Sequence, residues 1–263
     1  MLIYCIMNVK LNLVINEIEP PILNKTIKNL TDDELIKTFN KNKYVNQVIF
    51  TYNKTNYKTY KHLEMLAVDK PSGNGKKLYL GFKLKADKLK FIQSHKYNNI
   101  YEILTNDLVK PYFDIDYKSK SEHKTDEEVK QILNRFISEL NEFYRIPITS
   151  NNLYVYAKSD DETKKIKSIH VVVSGFQTTK KALKIFVTTI NKQRKKNSFK
   201  KLVGGIDGSV YNHNKLFSLP HQRKLGKTEY FEWFYCFDND ETKYGDNAIE
   251  HYLINDVKNC VFN

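Results

Sequence analysis

Cysteine is scarce and poorly placed for crosslinking: Cys5, Cys236 and Cys260 are the only three in 263 residues. An odd number of widely separated thiols, with no CxxC pair, writes neither a disulfide framework nor a zinc site, and a reducing compartment is expected. Long apolar runs are lacking too. The opening stretch Met1 to Ile15 is interrupted by Asn8, Lys10 and Asn12, has no basic leader and is too short to span a bilayer. A soluble, intracellular protein without a membrane partner is therefore expected. Phosphate-cradling glycine loops are also missing, because Gly73-Asn-Gly75 has neither the length nor the terminal Lys-Ser/Thr of one and reads as a turn. No internal repeat is visible.

What the chain has in excess is positive charge: 43 Lys and Arg stand against 30 Asp and Glu, a formal charge of +13. Such a surface draws a polyanion from solution and holds it by releasing counterions. A composition rich in Lys, Asn, Ile and Tyr gives a similar excess through AT-rich coding, so charge alone leaves nucleic-acid binding and a merely basic surface both open.

The length suits two lobes sharing a cleft, a smaller mixed α/β lobe over residues 1–110 and a second over 111–263. In the first, Lys10 to Ile15 reads as a strand, Pro20-Pro21 as a break and Thr31-Asp-Asp-Glu34 as a capping box opening a short helix. A polar loop, Asp69 to Lys76, precedes the apolar run Leu78 to Phe82. From Pro111 the pattern sharpens. Tyr112 to Tyr117 alternates as a strand; Thr125 and Glu128 box the start of a helix whose apolar face is Val129, Ile132, Leu133, Phe136, Leu140 and Phe143. Leu153 to Ala157 and Ile166 to Val173 read as strands around a polar turn, Ser159 to Lys165. A helix from about Thr179 to Lys192 buries Leu183, Phe186, Val187 and Ile190, and strands follow at Lys215 to Leu219 and Tyr230 to Phe237.

Three segments carry chemistry. In Phe113-Asp114-Ile115-Asp116 the pleat sends the apolar pair to one face and both carboxylates to the other, about 7 Å apart at Cα. Two like charges so placed repel unless a cation lies between them, which suggests a divalent metal, although an ordinary solvent-facing strand has the same pattern. In Ser168-Ile169-His170 the same alternation puts a hydroxyl and an imidazole on one face, where both can donate to a phosphate oxygen. A histidine satisfied at a sheet surface is the plainer reading of that pair, and no G-x-S-x-G elbow surrounds Ser168 to make it a nucleophile. In the third segment Asp207 sits in a glycine-flanked turn ahead of Lys215 and the cluster Arg223-Lys224, offering a further metal ligand and cations for a triphosphate.

In this order, D-x-D, then S-x-H, then an acid after an apolar residue, the segments resemble the archaeo-eukaryotic primase superfamily, especially its primase-polymerase and large-DNA-virus branches. The resemblance covers about Pro111 to Lys224. It implies an α/β core with an RRM-like C-terminal lobe beside a smaller N-terminal lobe, and an active site in the cleft between them. It implies metal-binding acids at Asp114, Asp116 and Asp207, and Mg²⁺ or Mn²⁺ as cofactor; no zinc is expected, because Cys236, His251 and Cys260 lack metal-ligand spacing. Ser168 and His170 would contact the nucleotide phosphates, Lys215 would take the family's first basic place and Lys224 its terminal lysine. Ser218 stands where the family commonly has arginine, so that contact is missing or supplied by Arg223. The implied activity is template-directed nucleotide transfer, by a DNA primase or primase-polymerase, from NTPs or dNTPs on single-stranded DNA. A replicative helicase or other replication protein is an implied partner, and the host cytoplasm or nucleus the implied place if the source is viral.

Rival readings stay open. A D-x-D glycosyltransferase also holds a metal-bound nucleotide diphosphate on a strand-end acid pair, and a nuclease could use the same carboxylates on water. A basic, non-catalytic nucleic-acid-binding subunit needs neither metal nor nucleotide. The basic run Lys192 to Lys196 with Lys200-Lys201 could track a template strand or simply solvate a helix end.

Overall fold

The structure is a computed structural model that describes residues 47–51, 63–69, 77–82, 84–94, 100–196, 205–212, 215–222, 229–234, 249–257 and 260–262. The strand expected at Lys10 to Ile15, the Thr31 capping box, the loop after Asp69, Lys200-Lys201, Arg223 and Lys224 lie outside them. The fold is mixed α/β, with antiparallel sheets and few helices among the described residues. The chain divides into two compact units, Met1–Tyr101 with Gln222–Gly226, and Glu102–His221 with Lys227–Asn263.

In the first unit, β1 (Gln47–Thr51), β2 (Glu64–Asp69) and β3 (Lys77–Phe82) form antiparallel ladders with β3 in the middle. Helix α1 (Lys85–Ser94) follows, and its buried Lys88 ammonium meets Glu64 at 2.8 Å. Asp69 closes the β2 ladder by pairing with Lys77 and accepting the Tyr101 hydroxyl at 3.0 Å. Strand β4 (Ile100–Leu104) then leads the chain into the second unit.

There, β5 (Leu108–Val109) precedes β6 (Tyr112–Asp116), followed by α2 (Asp126–Tyr144), β7 (Leu153–Ser159) and β8 (Ile166–Val173). Strand β9 (Phe176–Thr179), α3 (Lys180–Lys196), β10 (Gly205–Ile206), β11 (Lys215–Ser218) and β12 (Glu232–Trp233) come next, then α4 (Ile249–Tyr252) and β13 (Val261–Phe262). The central sheet runs β10-β6-β8-β7-β12, antiparallel at every pairing, while β5, β9 and β13 make a small separate sheet.

Helices α2 and α3 cover one face of the central sheet through an aromatic junction. Phe113 meets Phe136 edge-on at 4.7 Å and Phe186 at 5.7 Å, all three fully buried. Emptying such a site, as in Phe113→Ala, costs about 3–5 kcal/mol. The Thr125–Glu128 box starts α2 as expected: the Glu128 N–H donates to the Thr125 hydroxyl and Glu128 Oε2 accepts the Thr125 N–H at 2.8 Å.

Two details differ from the sequence reading. Phe143, expected on the buried face of α2, is 39% exposed, and Tyr144 is buried in its place. Four residues on from Leu140, Tyr144 lands closer to the apolar stripe and packs on Phe176, while Phe143 sits at its margin against Phe186. The strand expected over Tyr230 to Phe237 is, among the described residues, only Glu232–Trp233, held to β7.

Candidate metal and nucleotide site

Strand β6 buries Phe113 and Ile115 completely, and strict alternation therefore turns Asp114 and Asp116 to the face away from α2 and α3. Asp114 keeps a side-chain exposure of 21%, and Asp116 is exposed. On the neighbouring strand Asp114 lies opposite His170 and Asp116 opposite Ser168. On the other side Gly205 lies opposite Asp116 and Ile206 opposite Ile115, and the Asp207 N–H donates to the Asp114 carbonyl at 2.8 Å. Three segments spread over more than ninety residues thus meet in adjacent rows across β10, β6 and β8.

The acids are not gathered round one point. Asp207 caps a short 3-10 turn, Gly208–Tyr211, where its carboxylate accepts the Ser209 N–H at 2.7 Å and the Ser209 hydroxyl at 2.8 Å. Among the described residues no three acidic, histidine or cysteine side chains are close enough to hold a metal. The donor chemistry nevertheless suits Mg²⁺ or Mn²⁺, since all three are hard oxygen ligands. The strand register puts Asp207 beside Asp114, while its carboxylate is turned to Ser209.

His170 is 5% exposed, because two phenylalanines close over it. Its ring stacks on Phe217 at 4.4 Å and on Phe231 at 3.9 Å, with Tyr156 edge-on at 5.0 Å. Its Nε2 lies 3.3 Å from Asp114 Oδ1, and Nδ1 is buried with no hydrogen-bond partner among the described residues. The Tyr156 hydroxyl donates to the Ser218 carbonyl at 2.9 Å, fastening β11, and hence Phe217, to β7. Burial, assisted by Glu102 and Asp114, holds that phenol well above its ordinary pKa, so it stays a donor.

A second clasp holds the Asp207 turn. The Tyr112 hydroxyl donates to the Val210 carbonyl at 2.9 Å and the Tyr211 hydroxyl donates back to the Tyr112 carbonyl at 2.8 Å. Sequence reasoning missed this pair and the phenylalanine clamp. Phe217 was legible as a strand residue, but no spacing announces that it and Phe231, just before β12, meet on one imidazole.

Of the expected cations, Lys215 is exposed at the start of β11, two residues from Phe217 and so on the same side of that strand. Ser168 is buried at 7% exposure, and Ser218 is half-buried, contributing its backbone carbonyl. No protein-family model and no curated protein matches the chain. No helix among the described residues is long and apolar enough to cross a membrane.

Proposed function

We propose that the protein is a metal-dependent nucleotidyltransferase of the primase-polymerase kind, which builds or extends a strand on a single-stranded DNA template. The observation that carries this reading is the juxtaposition of Asp207, Asp114 with Asp116, and His170 with Ser168 on three adjacent strands. The central sheet supports the reading: with β9 set apart in the small sheet, the succession β6, α2, β7, β8, α3, β10 and the order β10-β6-β8-β7 fit an RRM-like β-α-β-β-α-β unit.

In this reading Asp114, Asp116 and Asp207 would hold Mg²⁺ or Mn²⁺, which when bound lowers the pKa of an attacking 3′-hydroxyl and stabilises a leaving pyrophosphate. The chain's own residues supply position and counter-charge. The clasp of Tyr112 and Tyr211 keeps the Asp207 turn against β6, and His170, clamped by Phe217 and Phe231, orients Asp114. Lys215, with Arg223 and Lys224, is assigned to the triphosphate, and Ser168 to a phosphate oxygen.

A non-catalytic nucleic-acid-binding subunit is the second reading, favoured by the engagement of the Asp207 carboxylate with Ser209. A gel assay separates the two, using single-stranded template, labelled NTPs or dNTPs and Mn²⁺, with and without an annealed primer, beside Asp114→Ala/Asp116→Ala protein. Product without primer, absent from the variant, identifies a primase; extension from a primer only identifies a polymerase. Template binding with no product in any lane rejects catalysis and leaves the binding subunit.

A further inference from the structure

Helices α2 and α3 lie on the same face of the same sheet, yet their charges are opposite. Helix α2 carries five acidic residues and two basic ones, whereas α3 carries seven basic residues and no acid. A coding bias toward lysine would load both helices alike, so composition does not account for the segregation.

The basic residues of α3 are also ordered. Leu183, Phe186, Val187 and Ile190 are buried, and the opposite side exposes Lys181, Lys184, Thr188 and Lys192. Steps of three and four residues place these four on one line, about 16 Å long at 1.5 Å per residue. The line flanks the edge strand that leads to Asp207: Asn191 Nδ2 donates to the Ile206 carbonyl at 2.9 Å, and Lys184 Nζ reaches Asn212 Oδ1 at 3.4 Å.

We infer that this outer face of α3 is a docking track for the phosphate backbone of single-stranded DNA, leading the strand past the Asp207 edge of the sheet. The inference rests on the nucleic-acid reading given above. Charge complementarity selects the occupant: a line of ammonium groups without acids matches a regularly spaced polyanion. A lipid surface would also require an apolar face, and the apolar face of α3 is spent on the core, leaving only Ile185 markedly exposed.

The test is the salt dependence of binding to a fluorescent oligo-dT, followed by anisotropy with the full chain. Each phosphate neutralised on a single strand contributes about −0.7 to the slope of log K against log salt. The variant Lys181→Gln/Lys184→Gln/Lys192→Gln is expected to flatten the slope by about 2 and to weaken binding about a hundredfold at 0.1 M salt. Each single variant is expected to flatten it by about 0.7, which keeps the test decisive if the triple variant folds poorly. Lys130→Gln/Arg135→Gln on α2 is expected to change neither.

If wild-type protein fails to bind oligo-dT, the nucleic-acid reading itself is lost. If it binds and the α3 variants keep its slope, only the track is overturned. Capture by phosphatidylserine vesicles instead of oligo-dT overturns it in favour of a membrane.

Discussion

Tyr112 and Tyr211 exchange hydrogen bonds: the Tyr112 hydroxyl donates to the Val210 carbonyl and the Tyr211 hydroxyl to the carbonyl of Tyr112, with ring centroids 5.1 Å apart. Both bonds are buried, so each phenol is worth about 1–2 kcal/mol against its phenylalanine variant. Tyr211→Phe should lower the free energy of unfolding by that amount, read as a lower urea midpoint at unchanged slope, and Tyr112→Phe similarly. Because each bond anchors the turn that begins at Asp207, either variant should also lower metal-dependent turnover more than Phe143→Ala does. The Tyr211 pKa is raised far above its ordinary 10.0 by burial, then by neighbouring Tyr112, Tyr144, Asp114 and Asp207. A raised folded value means that this contribution is complete below about pH 10 and is lost as pH rises toward the folded value. Equilibrium unfolding across the alkaline range should therefore fall less steeply for Tyr211→Phe than for wild type.

Asp207 is held by Ser209, through the backbone N–H and the hydroxyl. A cation shared with Asp114 has to compete with those bonds. Removing the hydroxyl alone, in Ser209→Ala, releases about 1 kcal/mol of competition, equivalent to roughly fivefold. The Mn²⁺ concentration giving half-maximal incorporation should fall about fivefold in that variant, with the melting temperature lowered by about 2–4 °C for the same lost bond. An unchanged Mn²⁺ requirement would mean that Asp207 does not leave its cap to reach a metal.

The elements around these residues were legible because their periodicities are clean. Ile166–Val173 was read to the residue, and the Thr125–Glu128 box fixed the start of α2, since both patterns are local. The pairing of Asp114 with Asp116 on one face also followed from alternation alone. No local pattern encodes the register that sets Asp114 opposite His170 and Asp207 beside Asp114. Phe143 and Tyr144 show the local limit: two aromatics side by side at a helix end compete for one stripe, and the winner depends on where Phe176 lies.

The same capping box gives an acid-side prediction. Glu128 has its pKa lowered chiefly by the Thr125 N–H, opposed by some desolvation and aided by the Thr125 hydroxyl, Lys124 and Lys165. A depressed folded value means that its contribution is present above the ordinary 4.5 and is lost as pH falls through the folded value. Thr125→Ala should cost about 1 kcal/mol near neutral pH, as loss of an N-cap does. Glu128→Gln should flatten the loss of stability in that acid window, read by chemical unfolding at a series of pH values. An acid limb identical to wild type would show that Glu128 titrates alike in the folded and unfolded chains.

His170 separates two roles that the sequence could not. As a phosphate ligand it would need an accessible N–H, but its ring is closed between Phe217 and Phe231 and its Nε2 faces Asp114 at 3.3 Å. That geometry is why the proposal gives it the role of positioning Asp114. His170→Phe keeps an aromatic ring in the clamp and removes both nitrogens. If His170 orients Asp114, this variant should need about fivefold more Mn²⁺, the equivalent of about 1 kcal/mol for loss of one partly buried polar contact, while KM for the nucleotide at saturating metal stays the same. If His170 instead binds phosphate, nucleotide KM rises and the metal requirement does not. Titration of Mn²⁺ without nucleotide, read by the loss of its free-ion magnetic resonance signal, distinguishes the cases without relying on turnover. Wild type and His170→Phe binding Mn²⁺ equally would remove the positioning role, whereas wild type binding none would remove the metal site itself.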